Sequence, residues 1–157
     1  MAKLQADLRE FIVLLNSHHV EYLVVGGHAV AFHGHPRFTG DIDFLIRRTA
    51  DNAERVLNVL TAFGFGGVGI TEEDLLQPAR VVQLGHPPNR IDILTSISGV
   101  AFEVAWEGRV ATELDSQIVN LIGWNDLLQN KRAAGRAKDL ADVQKLIAVA
   151  KRKNDAG

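Results

Sequence analysis

Tyr22 to Ile46 reads YLVVGGHAVAFHGHPRFTGDIDFLI, and the fold turns on how this stretch divides. Tyr22 to Val25 is an apolar run too short for a helix and stopped by Gly26-Gly27, so it reads as a buried strand. His28 to about His33 reads as a short helix, ended by Gly34 and kept from resuming by Pro36. Asp41 to Ile46 alternates and then turns apolar, as a second strand does. Successive strand side chains face opposite sides, so Asp41 and Asp43 share one face while Ile42 and Phe44 turn to the core.

Upstream, Leu4, Leu8, Phe11, Ile12 and Leu15 recur at helical spacing and predict a helix over about 3–18. Downstream, Val56, Leu57, Leu60 and Phe63 predict a second over 51–63. The glycine-dense stretch Phe63 to Ile70 reads as a turn with a short edge strand. It lacks the lysine and following Ser or Thr of a phosphate-binding loop. Thr71 to Asp74 has the form of a capping box opening a short helix. Arg80 to Leu84 and Arg90 to Leu94 read as strands joined by Gly85 to Asn89, while 100–106 takes no assignment. Short strands at 111–114 and 117–121 precede helices at about 124–134 and 137–151. Strands and helices mixed without regular alternation predict an α+β (α/β) fold. The expectation is a mixed β-sheet flanked by helices, closed by a C-terminal helical pair, as one domain over 1–157.

Composition narrows the function classes. The chain has 157 residues, 46% hydrophobic and 23% charged, with formal net charge −2, pI about 6.3 and mean hydropathy +0.03. Such a balance argues against holding nucleic acid mainly by bulk charge, although a local basic patch is compatible with it. With no cysteine, disulfides, thiolate metal sites and a cysteine nucleophile are excluded. MAKLQADLRE is amphipathic and acidic early, unlike a signal or transit peptide, and no apolar run reaches the roughly 20 residues of a membrane span. The expectation is a cytoplasmic protein without membrane contact.

The chemistry gathers on acids. Asp41 and Asp43 start about two strand rises apart, and two such carboxylates repel unless a cation neutralises them. A hard divalent ion with oxygen ligands does so. Asp92, flanked by Ile91 and Ile93, joins the same face if its strand lies beside Asp41–Ile46. Three acids so placed can hold two metals about 3.5–4 Å apart, the arrangement for in-line phosphoryl or nucleotidyl displacement. The plainer readings are solvated turn acids for Asp41 and Asp43, and a salt bridge to a nearby Arg for Asp92. Gly26-Gly27, between a buried strand and a short helix, is either a tight turn or a place where bare backbone lets a phosphate approach.

Taken together, YLVVGGHAVAFHGHPRFTGDIDFLI resembles the signature of the DNA polymerase β-type nucleotidyltransferase superfamily. That signature is an apolar strand, Gly-Gly or Gly-Ser, about ten residues, then Asp-x-Asp on the next strand. Asp92 matches the third metal carboxylate, and the likeness covers about residues 20–95. KRAAGRAKDLAD (Lys131 to Asp142) is similar to the Lys…Arg-x-Lys-Asp-x-x-Asp segment of the bacterial and archaeal branch, which includes abortive-infection (AbiEii-like) toxins of toxin–antitoxin pairs. The resemblance implies Mg²⁺ or Mn²⁺ on Asp41, Asp43 and Asp92, and an NTP such as ATP at Gly26, Gly27 and Lys131. It further implies that Asp139 orients a basic residue or the helix pair. Where many members carry Ser or Thr at the glycine turn, this chain has His28, whose ring N–H would have to serve a phosphate instead.

Other residues carry weaker signals. His28, His33 and His35 invite a zinc reading, but His28 and His33 are five apart and no H-E-x-x-H is present, so phosphate-contacting or surface imidazoles are favoured. Arg37 is a candidate phosphate or base contact. Arg47-Arg48 and Lys151 to Lys153 are candidates for docking an RNA acceptor or plain solvated charge. Trp106 and Trp124 read as core or interface anchors.

The expected activity is transfer of an NMP from an NTP to an acceptor hydroxyl on RNA, a protein or a small molecule, with release of pyrophosphate. Asp92 is the expected general base. A monomer or homodimer, with an antitoxin-like partner protein, is the expected setting. The rival is a non-catalytic nucleotide-binding or regulatory protein that keeps the fold; a third reading makes the acids incidental.

Overall fold

The structure is a computed structural model and describes residues 6–35, 40–66, 69–86 and 90–156. Among the described residues, six strands form one sheet. β1 (Tyr22–Val25), β2 (Ile42–Ile46), β3 (Val81–Leu84), β4 (Ile91–Leu94), β5 (Val110–Leu114) and β6 (Gln117–Leu121) stand in the order β3-β4-β2-β1-β6-β5. β2 lies antiparallel to β1 and parallel to β4, and β1 is parallel to β6. The two outer pairs are antiparallel. This is the mixed, helix-flanked α+β architecture expected from the sequence.

Among the described residues, seven helices cover it: α1 (Ala6–Ser17), α2 (Gly26–Phe32), α3 (Ala50–Ala62), α4 (Glu72–Leu76), α5 (Phe102–Glu107), α6 (Trp124–Ala134) and α7 (Ala137–Ala156). α1 buries Phe11, Ile12 and Leu15, the stripe read from its spacing. Phe11 meets Phe44 of β2 at 5.4 Å between ring centroids, and Phe44 meets Tyr22 of β1 at 5.5 Å. This aromatic cluster fixes the face of β2 opposite Asp43 and so decides which way the acids look.

Asn52 of α3 ties the two central strands together. Buried at 1% exposure, its side chain accepts from the Glu21 N–H at 2.8 Å and donates to the carbonyls of Glu21 and Arg47. A buried amide with these bonds made costs little and fixes strand position. Thr49 caps α3 through the Asn52 N–H, and Thr71 with Asp74 forms the expected capping box of α4.

Several boundaries differ from the sequence reading. α2 starts at Gly26, two residues before His28, because the glycine pair continues directly from β1 into the helix. The unassigned stretch 100–106 is largely α5. Asp115 and Ser116 both have positive φ, 49° and 65°, the twist that a two-residue hairpin between β5 and β6 demands. Part of the Phe63–Ile70 edge-strand expectation falls on Gly67 and Val68, outside the described residues, and the described remainder of that stretch is turn and irregular backbone. Among the described residues no helix is long and apolar enough to cross a membrane.

Candidate active site

The register of the sheet builds the site. Asp43 of β2 pairs with Asp92 of β4 on one side and with Val25 of β1 on the other. Asp41 sits one residue before β2. The three acids expected to act together are therefore brought together at the same end of two adjacent strands, beside the turn that leaves β1.

Gly26 completes that corner. Its φ is +69°, where a side chain is strained, and a Cβ would fall 3.2 Å from Cγ of Asp43 and closer still to Oδ2. The Asp43 carboxylate thus lies against bare backbone. Gly26 is needed both for the chain's turn and for the space that Asp43 occupies.

Asp92 is buried, at 6% exposure. Arg90, two residues earlier and hence on the same side of the strand, grips it as a fork, donating from Nε to Oδ1 at 2.8 Å and from Nη2 to Oδ2 at 3.0 Å. The same Nη2 lies 2.9 Å from Oδ2 of Asp41. One guanidinium therefore bridges the first and third acids. Asp43 is pushed up to about 6, foremost by burial, then by its charge and hydrogen-bond relation to Asp92 and by Asp41, with Arg90 pulling the other way. Arg90 is thus shared between two of the three carboxylates, and the third, Asp43, feels both of the others.

That donor set, hard carboxylate oxygens, is of the kind a divalent cation such as Mg²⁺ or Mn²⁺ takes. Among the described residues no three acid or imidazole groups are spaced as a ready-made cage. Arg90 lies between Asp41 and Asp92.

The other expected contacts are placed differently from one another. His28 turns into an apolar cavity of about 240 Å³ with Ile12, Val24, Phe32, Ile42 and Leu121. Burial lowers its pKa, so the ring is neutral near pH 7. His33 donates from Nε2 to the Ile122 carbonyl at 2.8 Å and packs on Trp124, a structural contact. Lys131 is buried at 6% exposure, with Nζ 3.2 Å from Asp139 and 3.3 Å from Asp142. Asp139 also accepts from Arg136 Nε at 2.7 Å. Asp139 thus contacts two basic residues, Lys131 and Arg136, at the corner of α6 and α7. Arg37 lies outside the described residues. Arg47 is engaged with Glu21 and lies 4.7 Å over the Phe102 ring, so of the Arg47-Arg48 pair only Arg48 is exposed. Trp106 stacks on Phe102 and carries Arg109 at 3.9 Å, the anchoring role expected of it.

Arg90 is the residue that sequence reasoning left unnamed. Its signal was present, an Arg two positions from a buried strand Asp and therefore on the same face.

A mixed sheet with a glycine turn and carboxylates on neighbouring strands defines a nucleotidyltransferase-type fold. Among the solved structures that share it are two with a TM-score of 0.53 over 94% of this chain. One is an inferred nucleotidyltransferase from Thermotoga maritima, at 16% identity and 91% of its own length. The other is an antigenic nucleotidyltransferase-like protein from Paracoccidioides brasiliensis, at 15% identity and 78% of its length. Residues 1–152 match the family described as nucleotidyltransferase of unknown function (DUF6036), and the chain belongs to that family. No curated protein matches it.

Proposed function

We propose that the chain is a metal-dependent nucleotidyltransferase that moves an NMP from an NTP to an acceptor hydroxyl. The observation that carries this reading is the pairing of Asp43 with Asp92 in register, with Asp41 alongside and the Gly26 backbone against the Asp43 carboxylate. Asp41, Asp43 and Asp92 would hold Mg²⁺ or Mn²⁺. When bound, the ion supplies charge stabilisation at the transferring phosphate and lowers the pKa of the acceptor hydroxyl.

The remaining work falls to the chain. Gly26 lets the Asp43 carboxylate lie against the main chain, and Gly27 carries no side chain to bar a phosphate from the backbone beside it. Asp92 takes the acceptor proton as the acceptor oxygen bonds to the α-phosphorus, and the bond to the β-phosphate oxygen breaks to release pyrophosphate. A neutral His28 in an apolar cavity supports a reading in which backbone, rather than imidazole, meets the phosphates. Lys131 pairs with two acids and supports the α6–α7 corner; meeting a triphosphate would require it to leave both. Arg37, just ahead of the acidic strand, is kept as a phosphate or base contact by its position in the sequence.

The likeness of Lys131–Asp142 to the abortive-infection branch supports a toxin role with an antitoxin-like partner, acting as monomer or homodimer on an RNA, protein or small-molecule acceptor. Against turnover stands one observation: both oxygens of Asp92 are already engaged by Arg90, which favours a nucleotide-binding protein without catalysis.

Pyrophosphate release with Mg²⁺ and each NTP, over a panel of acceptors, separates the two. Turnover that Asp43→Asn abolishes, with the melting temperature within a few degrees of wild type, is the expected result. Wild-type turnover in that variant would reject the site.

A further inference from the structure

Arg90 makes contacts that a cation at this site would have to replace. Its guanidinium uses Nε and Nη2 on Asp92 and the same Nη2 on Asp41, spanning the entries of β2 and β4. The main chain is joined at the same point, where Ile42 N–H donates to the Arg90 carbonyl at 3.1 Å. Arg90 is thus held in place by the ladder and not by its side chain alone.

We propose that Arg90 is a resident counter-ion that competes with a divalent cation for Asp41 and Asp92. In the metal-free protein it keeps like charges assembled that would otherwise push the strand ends apart. A metal entering the acids meets a fixed positive charge, and the inward lone pairs of Asp92 are already in use. Occupancy then requires the guanidinium to give up Asp41, Asp92 or both, which lowers metal affinity and sets a threshold of metal concentration. The inference rests on the metal-binding reading above.

The test uses Mn²⁺ alone, titrated by calorimetry and by loss of the free-ion paramagnetic resonance signal, on the full chain stripped with chelator. Arg90→Gln is expected to bind Mn²⁺ about tenfold more tightly than wild type, because a unit charge a few ångströms from the ion is removed. Its metal-free melting temperature is expected to fall, and the rise on adding Mn²⁺ to exceed that of wild type. Unchanged or weaker Mn²⁺ affinity overturns the proposal and leaves Arg90 as a residue that positions the acids. Should Arg90→Gln not fold, Arg90→Lys decides by the same measure, since a lysine keeps the charge but loses the fork. There the expected gain is smaller, and no gain overturns the proposal. Asp43→Asn, measured alongside, is expected to abolish binding in both backgrounds. If it does while Arg90→Gln shows no gain, only the Arg90 inference fails. If neither wild type nor Arg90→Gln binds Mn²⁺, or Asp43→Asn binds as wild type does, the metal reading falls and this proposal with it.

Discussion

Gly26 and Asp43 are coupled by space. The glycine holds a φ of +69° and the carboxylate fills the volume where its Cβ would stand. A Gly26→Ala substitution therefore bears two costs, about 1–2 kcal/mol for a left-handed alanine and a further cost for displacing Asp43. For a chain of this size that corresponds to a melting temperature lower by roughly 3–8 °C. In an Asp43→Ala background the second cost disappears, so the same glycine change is expected to be less damaging there. A double-mutant cycle by denaturant unfolding measures the difference; strict additivity would show that the contact has no energetic weight. The glycine pair and the three acids were legible in the sequence because the two-residue strand period forces Asp41 and Asp43 to one side. The salt bridge on Asp92 was among the sequence readings, as a pairing with a nearby Arg, whereas the reach of Arg90 to Asp41 was not. Which acid an arginine reaches depends on where the neighbouring strand begins, and that is set by tertiary register.

At the scale of elements, the α6–α7 corner shows how a motif can be recognised while its physical role stays hidden. Gly135 takes a left-handed conformation, φ 70°, and its N–H closes α6 on the Lys131 carbonyl at 3.0 Å. Lys131 then points into the corner, where Asp139 and Asp142 of α7 are almost wholly buried. Burial alone would raise the Asp139 pKa, but hydrogen bonds from Arg136 and Lys131 outweigh it and bring the value below the ordinary range. A folded-state pKa below the unfolded one contributes stability above the unfolded value, about 3.9, which is lost as pH falls through the folded value. Asp139→Asn is accordingly expected to lower stability at pH 7 and to flatten the acid limb of the stability profile below about pH 4. An unaltered acid limb in urea melts would remove Asp139 from the account. Lys131→Met leaves two buried acids facing each other without their ammonium and is expected to cost about 3–5 kcal/mol. A Lys131→Met protein that keeps wild-type stability but loses nucleotide affinity would instead return Lys131 to the phosphate role that the sequence resemblance implied. The sequence located both helices, although each buries only a short apolar face, Leu127 and Leu128 on one and Val143 and Leu146 on the other. It could not show whether a lysine on the last turn faces outward, because that depends on how α7 folds back.

For the whole molecule, the decisive feature is that β2 lies between a parallel neighbour and an antiparallel one. The antiparallel turn from β1 brings the glycine corner to the start of β2, and the parallel pairing brings the start of β4 to the same end. Sheet order was beyond the sequence reading, which identified the strands but had no local signal for β1 lying next to β6. The proposed site would lie on the rim of the best-buried strands, so occupancy of it should be felt by the entire fold. A ligand that binds only the native state stabilises it by about 2.7 kcal/mol at a hundred times its dissociation constant. At roughly 2–4 °C per kcal/mol, the wild-type melting temperature is expected to rise by about 5–10 °C with Mg²⁺ and a non-hydrolysable NTP together. Asp43→Asn should show no such rise, and either component alone should give a smaller one, because the nucleotide's phosphates and the acids each need the cation between them. A full rise with NTP in chelator would point to nucleotide held without metal, as a regulatory protein of this fold would hold it. No rise under any combination would mean that the acids of β2 and β4 serve Arg90 and the strand ends, and the search for a substrate would move off this face.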